Sequence, residues 1–195
     1  DCSWSRGLGD VYKRQALNDL EAAKPLVKVL GFNNPAVAAV ATQGLIQLGR
    51  DTIPILLVSL DARNYGARAW VVKVIAALRD PRGLDLLEHA LQADIAPSVR
   101  RSATRGLADL EFSEDAAHDQ LVRCFEGLLK AVRDDEWVVR YAAAYGLEQR
   151  LNSAAVSAHL AEQGRAALNQ LASDAEGVRV VQLRALKALQ RLNAG

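Results

Sequence analysis

The chain has 195 residues, half of them hydrophobic, with 24 lysines and arginines against 23 acidic residues and two cysteines. That is enough apolar material for a core that needs no disulfide, and the balanced charge argues against the basic surface of a general nucleic-acid binder. No run of about 18 apolar residues is available for a membrane span and no signal-peptide pattern opens the chain, so a cytoplasmic protein is expected.

In chain order, the opening residues 1–15, DCSWSRGLGDVYKRQ, combine Trp, Tyr, Ser and Gly without a helical period. They are expected to be a non-native or disordered leader, with residues 16–195 forming a single repeat domain. From about residue 20 the chain is alanine- and leucine-rich and helix-forming, broken at NNP, GRDTIP, DARNYG, DPRG, ADIAPS, RDDEW and SDAEG. Alternating β-branched runs are few, so no sheet is expected.

The segments PAVAAVATQGL, YGARAWVVKVI, PSVRRSATRGL, WVVRYAAAYGL and EGVRVVQLRAL align on Val37, Ala67, Val99, Val139 and Val178, at spacings of 30, 32, 40 and 39 residues. An apolar residue follows eight positions later at Leu45, Ile75, Leu107, Leu147 and Leu186. Residues four apart on a helix share a stripe, and each aligned stripe must be buried by a facing helix. A leucine-rich helix precedes each segment, which predicts an all-α, HEAT-like α-solenoid, an α/α superhelix of about five helix pairs. Gly44, Gly106 and Gly146 sit one position before the apolar anchor, where close helix packing offsets their low helix propensity.

No phosphate loop, HExxH or GxSxG motif is present, and His89, His118 and His159 lie on separate helices, so no metal site is expected. Cys124 has only Arg123 beside it to stabilise a thiolate and reads as a small core residue. The aromatics are more distinctive. Tyr65, Trp70, Trp137, Tyr141 and Tyr145 fall on second helices, interleaved with Arg68 and Arg140, while the intervening repeat supplies Arg100, Arg101 and Arg105. Two readings stand side by side: aromatics as core with arginines as an inter-repeat charge ladder, or a groove of rings and guanidinium forks suited to a flat polycarboxylate.

NNPAVAAVATQGLIQLG, NYGARAWVVKVIAALRDPRGLDLL, APSVRRSATRGLADL and DDEWVVRYAAAYGL together resemble the F-type (beta) subunit of the heterodimeric phycocyanobilin lyases of cyanobacteria, over about residues 20–150. The resemblance implies an E-type (alpha) partner that is also a helical repeat protein. It also implies an open-chain tetrapyrrole, phycocyanobilin, as substrate rather than tightly bound cofactor, and a cysteine of the phycocyanin alpha subunit as acceptor. The nucleophile then belongs to the acceptor, and the ligand matches the groove reading. Residue chemistry, rather than the resemblance, assigns Arg68, Arg101 and Arg140 to the propionates and Trp70, Trp137 and Tyr141 to ring stacking, with Tyr65 and Arg105 completing the bilin-binding set. Asp135 or Glu136 would stabilise protonated pyrrole nitrogens or move a proton during thiol addition. VRCFEG around Cys124 lacks the adjacent Tyr-His of a related isomerising group, which favours plain attachment. The alternative is a non-catalytic repeat scaffold, or a factor that detaches bilins during phycobilisome turnover.

Overall fold

The computed structural model describes residues 20–32, 34–59, 65–112, 118–152 and 156–194; the expected leader at 1–15 lies outside them. Apart from short 3-10 turns at Arg50–Thr52 and Pro81–Gly83, all regular structure among the described residues is α-helical. In chain order the helices make five successive pairs: α1 (residues 20–30) and α2 (Pro35–Leu48), α3 (Ile53–Val58) and α4 (Tyr65–Leu78), α5 (Leu84–Ala93) and α6 (Pro97–Asp109), α7 (His118–Ala131) and α8 (Trp137–Leu151), α9 (Ala158–Ala172) and α10 (Arg179–Ala194). None of these described helices is long and apolar enough to cross a membrane. The chain divides into two compact units, Asp1–Val74 and Ile75–Gly195, with the boundary inside α4.

In the first unit, Asn34 caps α2 by accepting the Val37 amide at 3.2 Å, and Pro35 takes the first helical position, where a missing N–H costs nothing. Ala38, Ala41, Thr42 and Leu45 form the buried stripe of α2, whereas the aligned Val37 is 42% exposed. The stripe therefore turns one residue at its start, onto Ala38. Gly49, with φ at 84°, ends α2 in the left-handed region that favours glycine.

In the second unit α5, α7 and α9 form one layer and α6, α8 and α10 the other, each helix packing on its hairpin partner and on its layer neighbours. Leu87, Leu107, Phe125, Leu128, Leu147 and Leu168 fill the space between the layers. Burying each such side chain stabilises by about 2 kcal/mol. Gly106 and Gly146 are two places where a neighbouring helix leaves no room for a side chain. A Cβ built on Gly106 would lie 2.8 Å from Leu87 and 3.0 Å from Ala76, and one on Gly146 would lie 2.5 Å from Leu128 and 3.0 Å from Ala108.

Val99 and Val139 are buried at the third position of α6 and α8, as their alignment requires. The equivalent residue in α10 is Val181 rather than Val178, and the stripe continues through Ala185 and Ala188, leaving Leu186 38% exposed. The last repeat is thus set three residues further along than the VR pair at 178–179 suggests. The cause is a longer loop before α10, whose extra residues move the helix start to Arg179.

Candidate functional site

The loops leading into α6, α8 and α10 are each shaped by an acid three residues before the helix. Asp94, Asp134 and Glu176 accept the amides of Ala96, Glu136 and Val178 at 2.9, 2.9 and 3.1 Å. Four residues into each helix a donor reaches back to the carbonyl of that same acid. Arg100 Nη1 bonds the Asp94 and Ile95 carbonyls at 3.1 and 3.2 Å, and Arg140 Nη1 bonds those of Asp134 and Asp135 at 2.8 and 2.9 Å. The rest of each fork crosses to the next repeat. Arg100 takes the Asp134 carboxylate through two 2.8 Å bonds, and Arg140 takes Glu176 through two 2.7 Å bonds. Bidentate charge-assisted pairs of this kind set both distance and angle between neighbouring elements. In the last repeat the position belongs to Gln182, which donates to the carbonyls of Glu176 and Ser173 at 2.7 and 3.0 Å, while the aligned Arg179 only donates to the Gln182 side chain at 3.1 Å.

The ladder sets the charge of its carboxylates. The Arg140 guanidinium beside Glu176 holds its carboxyl below the usual range. Burial pushes the Asp134 carboxyl up, but Arg100, the Glu136 amide and Arg140 outweigh it and leave it depressed.

This places Arg140 in the ladder, where four of its N–H bonds are committed to Glu176 and the loop. What it holds is the segment carrying Asp135 and Glu136, both exposed, immediately before Trp137. Trp137 opens α8 with 44% of its surface exposed, and Tyr141, one turn on, is half-buried. On α6, Arg101 and Arg105 are both exposed, and Arg105 lies over the Tyr145 ring with its guanidinium carbon 3.7 Å from the centroid. The Tyr145 hydroxyl donates to Asp109 at 3.0 Å, and burial, with Asp109 adding to it, pushes the phenol pKa up, so the group is a neutral donor at neutral pH. The structure thus groups Arg101, Arg105, Trp137 and Tyr141 on the second-helix layer of this unit. Tyr65, Arg68 and Trp70 belong to the first unit. Tyr65 is the first residue of α4, Arg68 and Trp70 are half-buried, and Lys73 Nζ sits 5.1 Å from the Trp70 ring centroid.

An open groove of about 640 Å³ lies between α7 and α9, edged by Glu126, Lys130, Arg133 and Gln163, on the other layer. None of the candidate residues lines it.

Two polar assemblies escape the sequence patterns. Glu148 is buried between Arg184, 2.6 Å away, and Arg191, 3.0 Å away. Burial raises its carboxyl pKa, but the two guanidinium groups win and hold it ionised below the usual range. Arg150 is buried and donates to the Leu107 and Leu110 carbonyls, closing the end of α6. Glu148 falls seven residues after Tyr141, on the stripe that meets α10, and that register is the signal that could have found it. Cys124 is fully buried and burial pushes its thiol up to about 11, which removes it as a nucleophile at neutral pH.

Comparison with known proteins is consistent with this geometry. Residues 23–108 match the family model for HEAT repeats. The bilin biosynthesis protein RpcF of Synechococcus sp. (strain WH8020) is 56% identical over 176 residues, covering 90% of this chain and 83% of that protein. The phycocyanobilin lyase subunit beta of Nostoc sp. (strain PCC 7120) is 43% identical over 137 residues, 69% of this chain and 68% of that protein. The solved complex of CpcE and CpcF of phycocyanin lyase from Nostoc sp. PCC7120 contains a chain 40% identical to this one, superposing with a TM-score of 0.74 over 86% of this chain and 98% of that one. Identity over most of both chains and the superposition agree: the chain belongs to the HEAT-repeat family of F-type (beta) phycocyanobilin lyase subunits.

Proposed function

We propose that the chain is the F-type subunit of a bilin lyase that, with an E-type partner, attaches phycocyanobilin through a thioether to a cysteine of the phycocyanin alpha subunit. The observation that carries the reading is the 40% identity and near-complete coverage of a chain solved within a lyase complex of two subunits. The bilin is substrate, no tightly bound cofactor is involved, and the reaction belongs in the cytoplasm.

In this reaction the acceptor thiol sulfur bonds the ethylidene carbon of ring A, and the thiol proton ends on the adjacent ring carbon. The lyase contributes position and electrostatics. Arg101 and Arg105, both exposed on α6, take the propionates; Arg68, on α4 of the first unit, is assigned the same chemistry. Trp137 and Tyr141 stand one helical turn apart on α8 and are the stacking rings of this unit; in the first unit, taken by itself, Tyr65 and Trp70 are assigned the same chemistry. Asp135 and Glu136 are exposed carboxylates beside Trp137 and supply the counter-charge for protonated pyrrole nitrogens or carry the proton. Arg140 acts through the loop it clamps, by fixing where those two acids stand.

The test is co-expression of this chain with an E-type subunit, the phycocyanin alpha subunit and phycocyanobilin synthesis, omitting one component at a time. Covalent bilin fluorescence in a denaturing gel should require this chain. Soluble partner and acceptor with no covalent bilin would instead support the scaffold or turnover role.

A further inference from the structure

Arg105 and Tyr145 are the ninth residues of α6 and α8, the same position in two neighbouring repeats, so packing α6 against α8 sets them side by side. The Arg105 guanidinium carbon lies 3.7 Å from the Tyr145 ring centroid, well within the reach of a cation–π contact. Apart from that contact, no hydrogen bond or ion pair engages Arg105 among the described residues. Arg100 and Arg140, by contrast, commit their forks to Asp134 and Glu176.

An acid that could close on Arg105 stands on its own helix. Asp109 follows it by four residues, a spacing at which oppositely charged side chains pair. The pair is not formed. The Asp109 carboxylate instead accepts the Tyr145 hydroxyl at 3.0 Å, and that hydroxyl keeps its proton at neutral pH. Tyr145 therefore does two things at once: its ring holds the guanidinium, and its hydroxyl takes up the acid that would otherwise cover it. Arg184 of α10 lies 5.5 Å from the same ring centroid but is tied to Glu148 at 2.6 Å, so it already has its carboxylate. What stays open at the solvent edge of the seam is the N–H fork of Arg105, a donor set whose geometry matches a carboxylate.

We infer that Tyr145 is a positioning residue that keeps the Arg105 fork open for a propionate carboxylate of the bilin, which rests on the lyase reading above. Tyr145 acts through Arg105 and Asp109. Removing its hydroxyl alone keeps the ring but releases Asp109, which then competes with the propionate for the guanidinium.

The experiment titrates the complex of this chain with a purified E-type subunit, using phycocyanobilin and its dimethyl ester, whose propionates carry no charge, and reads Kd from the change in bilin absorbance. The parent complex should bind the free acid more tightly than the ester. Tyr145→Phe should raise Kd for the free acid about threefold and leave that for the ester unchanged. Adding Asp109→Asn to Tyr145→Phe should restore the parent preference, a rescue that mere loss of packing would not give. An unchanged preference in Tyr145→Phe, an equal shift for both ligands, or no restoration by Asp109→Asn overturns the inference and leaves the lyase reading standing. So does a parent complex that binds both ligands equally. A parent complex that binds neither overturns both.

Discussion

Two neighbouring seams in the second unit join the same kind of helices by different means. Between α6 and α8, Ala108 lies where it would meet a Cβ on Gly146, so the backbones approach, and the polar pair Arg105 and Tyr145 sits at the solvent edge. Between α8 and α10 the equivalent of Ala108 is Glu148, and the seam closes around a buried carboxylate held by two guanidinium groups. Along the helices themselves the first seam depends on shape, with the Arg100–Asp134 pair confined to the loop end. The second depends on every charge having its partner, because a lone buried charge costs several kcal/mol.

Substitutions should separate the two. Glu148→Ala leaves Arg184 buried without its carboxylate and is expected to destabilise by roughly 3–5 kcal/mol, read from the urea midpoint at unchanged slope. Arg140→Ala removes the bidentate bond to Glu176 and two carbonyl bonds, for a loss of about 2 kcal/mol. It should also change the acid response. Because Glu176 is held below its ordinary value of 4.5, its contribution is complete above that pH and disappears as pH falls through the depressed value. The variant should lack that part of the acid destabilisation, and an unchanged pH profile would remove Glu176 from the ladder's energetics. Gly146→Ala tests the shape-dependent seam. Overpacking against Leu128 and Ala108 outweighs the gain in helix propensity by about 1 kcal/mol, with no dependence on pH. Arg105→Ala, at the exposed edge, should cost under about 1 kcal/mol in stability while clearly reducing bilin attachment, and equal attachment would leave Arg105 as a surface contact of Tyr145.

The fold was legible because its signal is local and repeated: a stripe such as Val99, Ala103 and Leu107 needs only helical periodicity to be seen. The register of the last repeat was not, because VR at 178–179 imitates VR at 99–100 while the structure counts from the helix start and uses Val181 and Gln182. The acid three residues before each helix start, Asp94, Asp134 and Glu176, gives the better alignment. The candidate site was legible only as a set of chemically suitable residues. Which arginines are already occupied is decided by partners more than 30 positions away, as with Arg140 and Glu176 or Arg184 and Glu148, and no window of sequence contains both.

Cys124 bears on selectivity. A bilin poised for thioether formation is an electrophile that does not distinguish the acceptor's sulfur from any other accessible one. Burial pushes the Cys124 thiol up to about 11, so it stays protonated at neutral pH, and the residue is fully buried. On the proposed lyase reading, the one cysteine among the described residues therefore does not compete with the acceptor's sulfur for the chromophore.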